Sequence, residues 1–183
     1  MSNDTIAGSG LEKMFYGQIL SILVIIPLVG WIAAIVGIVL FLVGLHEAAG
    51  ADEGYRTAFY VEIGILVLSV LAVFIGVLNI VTSILSLVVI YLVCTTTAGL
   101  LEVKGDLGTA ARGRFAWKFY GGCTALVVVC SILSLIPLVN ILAMVVIVPA
   151  SIASVVGGIL LLIFLYRARK SLGRLVVIQR FSI

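Results

Sequence analysis

The sequence predicts an all-α polytopic membrane protein, with six transmembrane helices arranged as three repeated helical hairpins and both termini cytoplasmic. Three observations carry this. First, the 183-residue chain is 63% hydrophobic and 10% charged, with a mean hydropathy of +1.38. Soluble domains are about 45–50% apolar and about 25% charged, so only a bilayer can solvate this surface. Second, all 11 cations cluster. They lie in an N-terminal segment (Lys13), in two connections (Arg56; Lys104, Arg112, Arg114, Lys118) or in the tail (Arg167, Arg169, Lys170, Arg174, Arg180). Third, each of the three apolar stretches between these clusters is broken near its middle by an uncharged turn.

Residues 1–10 are small and polar and read as a disordered segment. They do not read as a cleaved signal peptide: Lys13 is the only nearby cation, and the apolar run after it exceeds the roughly 7–15 residues of such a core.

The membrane domain, residues 11–173, divides into units 13–50, 55–105 and 114–173. Residues 21–30 (SILVIIPLVG) and 131–140 (SILSLIPLVN) share most positions, including Pro27 and Pro137. A shorter copy is IGVLN at 75–79, with Gly76 in the proline position. Each unit opens with a cation (Lys13, Arg56, Lys118) and an aromatic pair (Phe15-Tyr16, Phe59-Tyr60, Phe119-Tyr120). Tyrosine prefers the headgroup level, and Lys or Arg anchors beside it. Pro cannot continue a helix, and Gly or Asn tolerates the turn that follows. Units one and two end in glycine-bounded polar loops, GLHEAAG at 44–50 and GLLEVKG at 99–105; the third ends at Gly173.

One crossing takes about 20 residues. The predicted helices are therefore 11–28, 30–48, 56–75, 78–103, 114–136 and 139–172, with Pro149 kinking or restarting the last. With six spans every cation falls on one side, which the positive-inside rule makes cytoplasmic. Three long spans would carry cations across the membrane, at about 2.5–3.5 kcal/mol each at mid-bilayer. The outer turns carry no ionisable residue, and Trp31 alone marks that interface. The first turn is apolar enough that unit one is also consistent with a shallow wedge.

Glu62 is the one ionisable residue inside an apolar segment. Intramembrane carboxylates are expensive and often functional. The repeat aligns Glu62 with Gln18 and Gly122. Two readings follow: an interfacial carboxylate that reaches water or pairs with Arg56 or Arg114, or a proton- or cation-binding site shared with Gln18. Asn79 and Asn140 occupy equivalent breaks, where they serve turns and caps or, with Gln18 and Glu62, an intramembrane polar site. His46 and Glu47 read as a helix-end pair. Small residues four apart, Ala33/Gly37, Ala150/Ser154/Gly158 and Ala153/Gly157, suit close helix packing or a homo-oligomer.

The five tail cations are expected to contact anionic lipid at the cytoplasmic face, about 1 kcal/mol each, with residues 174–183 as a basic interfacial tail. Nucleic acid fits poorly beside a bilayer. Cys94, Cys123 and Cys130 lie in apolar segments, without a CxxC or a neighbouring His, and read as inert thiols. No metal, cofactor or catalytic residue is expected, because no hydrolase, phosphate-loop or dinucleotide motif is present.

Three two-helix units suggest mitochondrial carriers, but those place charges after the repeat proline, where this chain has Leu-Val-Gly and Leu-Val-Asn. Lys13, the aromatic pair and Ile26-Pro27-Leu28-Val29-Gly30 instead resemble small multi-pass membrane proteins of unknown function in bacteria and archaea, over about residues 13–173. That resemblance implies a prokaryotic inner (plasma) membrane and lends no activity. The expected function is non-enzymatic: a structural or accessory membrane protein, as an oligomer or as a subunit of a larger assembly. A small transporter or channel built from the three hairpins and a membrane-shaping hairpin protein are the alternatives.

Overall fold

The computed structural model describes residues 3–22, 29–133 and 140–180, all in helices or tight turns. Its helices are α1 (Asn3–Ile22), α2 (Val29–Ala48), α3 (Glu53–Ala72), α4 (Leu78–Val103), α5 (Leu107–Leu133) and α6 (Asn140–Arg180). The turns expected at Pro27 and Pro137, and the side chains of Trp31, Asn140, Arg174 and Arg180, lie outside the described residues.

Four stretches are long and apolar enough to cross a bilayer: Glu53–Ala72, Leu78–Val103, Leu107–Leu133 and Val145–Leu172. The chain is thus built as an integral membrane protein. The apolar part of α2, Ile32–Ala48, is shorter.

Helix starts differ from the sequence expectation where local capping decides them. Residues 3–10, expected to be disordered, form the first turns of α1. Ala7 and Leu11 are fully buried there, so tertiary packing overrides a Gly- and Ser-rich composition. Asp52 caps α3 by accepting a hydrogen bond from the Gly54 N–H at 2.8 Å, which moves its start forward to Glu53.

The α4–α5 connection is tighter than a loop reaching to residue 114. Gly105 adopts φ 81°, a left-handed conformation that glycine enters without a Cβ clash. The Gly105 and Asp106 N–H groups then donate to the Glu102 and Leu101 carbonyls, both at 2.9 Å, the paired pattern that closes helix C-termini on glycine. Asp106 in turn caps α5 by accepting from the Thr109 N–H at 3.0 Å.

Between α3 and α4, Val77 holds the cap position without a side-chain hydrogen bond. Asn79 is not the cap expected of it: it sits in the first turn of α4, and its carbonyl accepts from the Thr82 and Ser83 hydroxyls. α6 runs through Pro149 without restarting, as intramembrane helices permit when neighbouring groups re-satisfy the backbone.

Each helix packs on its chain neighbours, and α6 packs back on α1, closing a ring of six. The α1–α2 contact is the closest. A Cβ on Gly10 would lie 2.6 Å from the Gly44 carbonyl, and one on Gly17 would lie 2.7 Å from the Gly37 carbonyl. These antiparallel pairs stand seven residues apart on each helix, so the backbones touch along one line.

Burial is uneven along the ring. At the end that carries the cations, Leu11, Met14, Leu45, Tyr55, Leu101, Phe164, Leu165 and Leu172 are fully or almost fully buried. At the other end, Val70, Phe74, Val145 and Ile152 present their side chains outward. Ion pairs and polar contacts fasten the packed end. Lys13 meets Glu47 at 2.6 Å, and Glu47 accepts from Ser9 at 2.9 Å. Arg114 pairs with Glu102. The Tyr55 hydroxyl lies 2.6 Å from that of Thr97. Thr97 has one hydrogen and donates it to the Val93 carbonyl, so Tyr55 is the donor across α3 and α4.

Candidate intramembrane site

Glu62 lies nine residues into α3, about 14 Å along the helix at 1.5 Å per residue, close to the middle of the segment. Glu62 follows Tyr60 by two residues on the same helix, so the two lie within one turn of each other. Neither expected cation meets Glu62. Arg114 is paired with Glu102, and Arg56 lies over the Tyr60 ring, 6.0 Å from its centroid. Among the described residues, no ion pair or hydrogen bond holds the Glu62 carboxylate.

Instead, Glu62 faces a cavity of about 210 Å³ inside the ring, together with Gln18, Ser86 and Tyr120. Gly17 and Gln18 of α1, Gly37, Ile38 and Phe41 of α2, Glu62 of α3, Ser86, Val89 and Ile90 of α4 and Tyr120 of α5 form the wall, so five of the six helices contribute. The sixth acts from behind: a Cβ on Gly157 of α6 would lie 3.0 Å from the Tyr120 Cα, so the glycine seats α5 in place.

The structure places Gln18 and Glu62, equivalent positions of the repeat alignment, in the wall of one cavity. It does not bring Asn79 there: that residue is exposed at the start of α4. The Asn140 side chain lies outside the described residues. Ser86 and Tyr120 were missed. Ser86 reads in sequence as a hydroxyl satisfied by the preceding turn, and it does donate to the Thr82 carbonyl at 2.9 Å. Its oxygen still has lone pairs for the cavity. Tyr120 reads as an interfacial aromatic, and only the tertiary packing turns it inward.

Chemically the cavity offers one carboxylate, one carboxamide and two hydroxyls. All are oxygen-bearing, the ligand type that hard cations and hydronium prefer. One carboxylate offsets one positive charge. Among the described residues, no group of three or more His, Cys, Asp or Glu side chains is placed to hold a metal ion. Cys94 and Cys130 are buried singly, and the three thiols are unpaired by disulfides.

The tail cations separate by environment. Arg169 is 3.2 Å from Glu12 and lies over the rings of Phe15, Tyr166 and Tyr16, at 4.7, 4.9 and 5.4 Å. It therefore clamps α6 to α1. Arg167 and Lys170 line an open groove of about 730 Å³ with Lys104, Asp106 and Ser171. In that groove Ser171 donates to Asp106 at 2.8 Å. This bond, the Thr109 N–H and the nearby Arg112 hold the Asp106 carboxyl below the usual range. His46 packs against Phe59 with the rings tilted by 47° and centroids 5.1 Å apart.

Comparison with known proteins finds no matching family model, no matching curated protein and no matching solved structure.

Proposed function

We propose that this chain is a small non-enzymatic transporter or channel of the inner (plasma) membrane, in which a monovalent cation or a proton binds at Glu62 within the helical ring. The observation that supports this most is the convergence of Glu62 and Gln18, from different hairpins, on one polar-lined cavity, with no cation among the described residues paired to the carboxylate. A carboxylate at membrane depth costs several kcal/mol unless something offsets it. A bound cation or proton does so. The tightly packed layer at the cation-bearing end suits a closed gate there, with both termini and the tail on the cytoplasmic side.

The test is flux in proteoliposomes loaded with Na⁺, K⁺ or a pH-sensitive dye. Wild type should pass one of these ions, and Glu62→Gln should lower that flux by about tenfold or more, the scale of one lost charge-assisted contact of about 1.5–3 kcal/mol. Flux at the protein-free background for every ion would sink the reading.

A second reading, a structural subunit of a larger membrane assembly, has one observation of its own. On α6, Gly158 has nothing within 4 Å of where a Cβ would stand. It follows Ala150 and Ser154 at four-residue spacing, a face suited to another helix. Detergent-stable oligomers that Gly158→Leu dissociates would favour it.

A further inference from the structure

We infer that the cleft between α4 and α5 is a binding site for a single anionic glycerophospholipid, seated with its phosphate at Lys118 and an acyl chain against Trp117. Two adjoining cavities share the Trp117 side chain. The upper one, about 280 Å³, lies at the cation level and is lined by Thr95, Gly99, Glu102, Arg114 and Lys118. The lower one, about 440 Å³, is almost wholly apolar, with Leu87, Tyr91, Gly121 and Ala125 in its wall. Its size falls in the roughly 300–1,000 Å³ range of small-molecule sites. A polar head compartment above an apolar slot matches the amphipathic shape of a lipid.

Charge selects the lipid's sign. Arg114 is neutralised by Glu102. Lys118 is exposed and has no acidic partner among the described residues. The head compartment therefore holds one uncompensated positive charge, which complements a phosphodiester and an uncharged or anionic headgroup better than a zwitterionic one.

Sequence spacing builds the slot. Trp117, Gly121 and Ala125 stand four apart and so share one face of α5. The indole packs edge-on to Tyr91, with centroids 4.8 Å apart. A Cβ on Gly121 would come within 2.6 Å of the indole ring, so the glycine lets the ring lie along the helix at the junction of the two compartments. From Lys118 to Ala125 the slot runs about 10 Å along α5, toward the bilayer centre. Tryptophan at such a junction is the side chain that headgroup-level interfaces favour.

Trp117 also reports the occupant. Trp31→Phe leaves it as the only tryptophan, since the chain has two. The full-length protein is reconstituted in phosphatidylcholine vesicles containing a minor fraction of either phosphatidylglycerol or phosphatidylcholine with dibrominated acyl chains, and Trp117 fluorescence is read. Brominated phosphatidylglycerol should quench it with about fivefold higher relative affinity, the factor for one cation near the surface. Lys118→Ala should abolish that preference, and Ala125→Phe, which fills the slot from an exposed position, should lower quenching by both lipids. Equal quenching by the two lipids would mean ordinary annular contact and would overturn the site. So would a preference that survives Lys118→Ala but disappears when Arg167 and Lys170 are neutralised, which would place the selectivity in the tail groove.

Discussion

A site shared by Gln18 and Glu62 was one of two readings of the sequence, resting on their equivalent places after the aromatic pairs of successive repeat units; the fold places both in the wall of one cavity. Ser86 and Tyr120 were not legible, because their roles depend on which face of α4 and α5 turns toward the ring, and apolar residues are spread around both helices without marking one face. Glycines tell a similar story. Gly37 stood out by its four-residue spacing from Ala33, whereas its contact is with Gly17 of α1. The seven-residue spacings, Gly10 to Gly17 and Gly37 to Gly44, were the available signal, obscured by reading Gly10 as disordered. At this scale we predict that Gly44→Leu, whose Cβ would meet the Gly10 carbonyl at 2.6 Å, destabilises the protein by about 1–3 kcal/mol through overpacking. Gly158→Ala, which enters open space, should be neutral. Thermal unfolding in detergent, compared at equal protein and lipid content, measures both.

Helices α2 and α4 fall within a residue of where apolar runs and uncharged breaks put them, because bilayer thickness demands runs of that length. Helix α6 starts one residue from its expected place but continues past 172, through the segment expected to be an interfacial tail, to Arg180. The starts of α1, α3 and α5 were misjudged for one physical reason. Short-range hydrogen bonds by Asp52 and Asp106, and burial of Ala7 and Leu11, extend helices into polar sequence that composition assigns to loops. The α4–α5 turn is the sharpest case and makes a paired prediction. Gly105→Ala forces a left-handed residue to carry a Cβ and should cost about 1–2 kcal/mol. Asp106 has a carboxyl pKa held below its ordinary value, by Ser171 first and then by Thr109. Its contribution is therefore complete above the unfolded value of about 3.9 and is lost as pH falls through the lower folded value. Hydrogen exchange at the Thr109 and Ala110 amides should accelerate, relative to the intrinsic rate, only in that acid window. Asp106→Asn should remove the pH dependence.

For the whole molecule, the clustered cations foreshadowed one fastened end, and the ion pairs there link α1 to α2, α4 to α5 and α1 to α6. Closure of the ring could not be read beforehand. It rests on Arg169 reaching Glu12 across 157 positions of sequence and on an aromatic nest drawn from both ends of the chain. The ring is tight where charges gather and encloses Glu62 deeper in, and this arrangement leads to the claim that Glu62 faces a hydrated cavity rather than lipid. The most direct measurement is thiol accessibility in membranes, with Cys94, Cys123 and Cys130 replaced by alanine. Glu62→Cys and Gln18→Cys should both react with a membrane-impermeant thiosulfonate, while Val155→Cys, on the outward apolar face of α6, should not. A Glu62→Cys thiol as unreactive as that at position 155 would contradict the account.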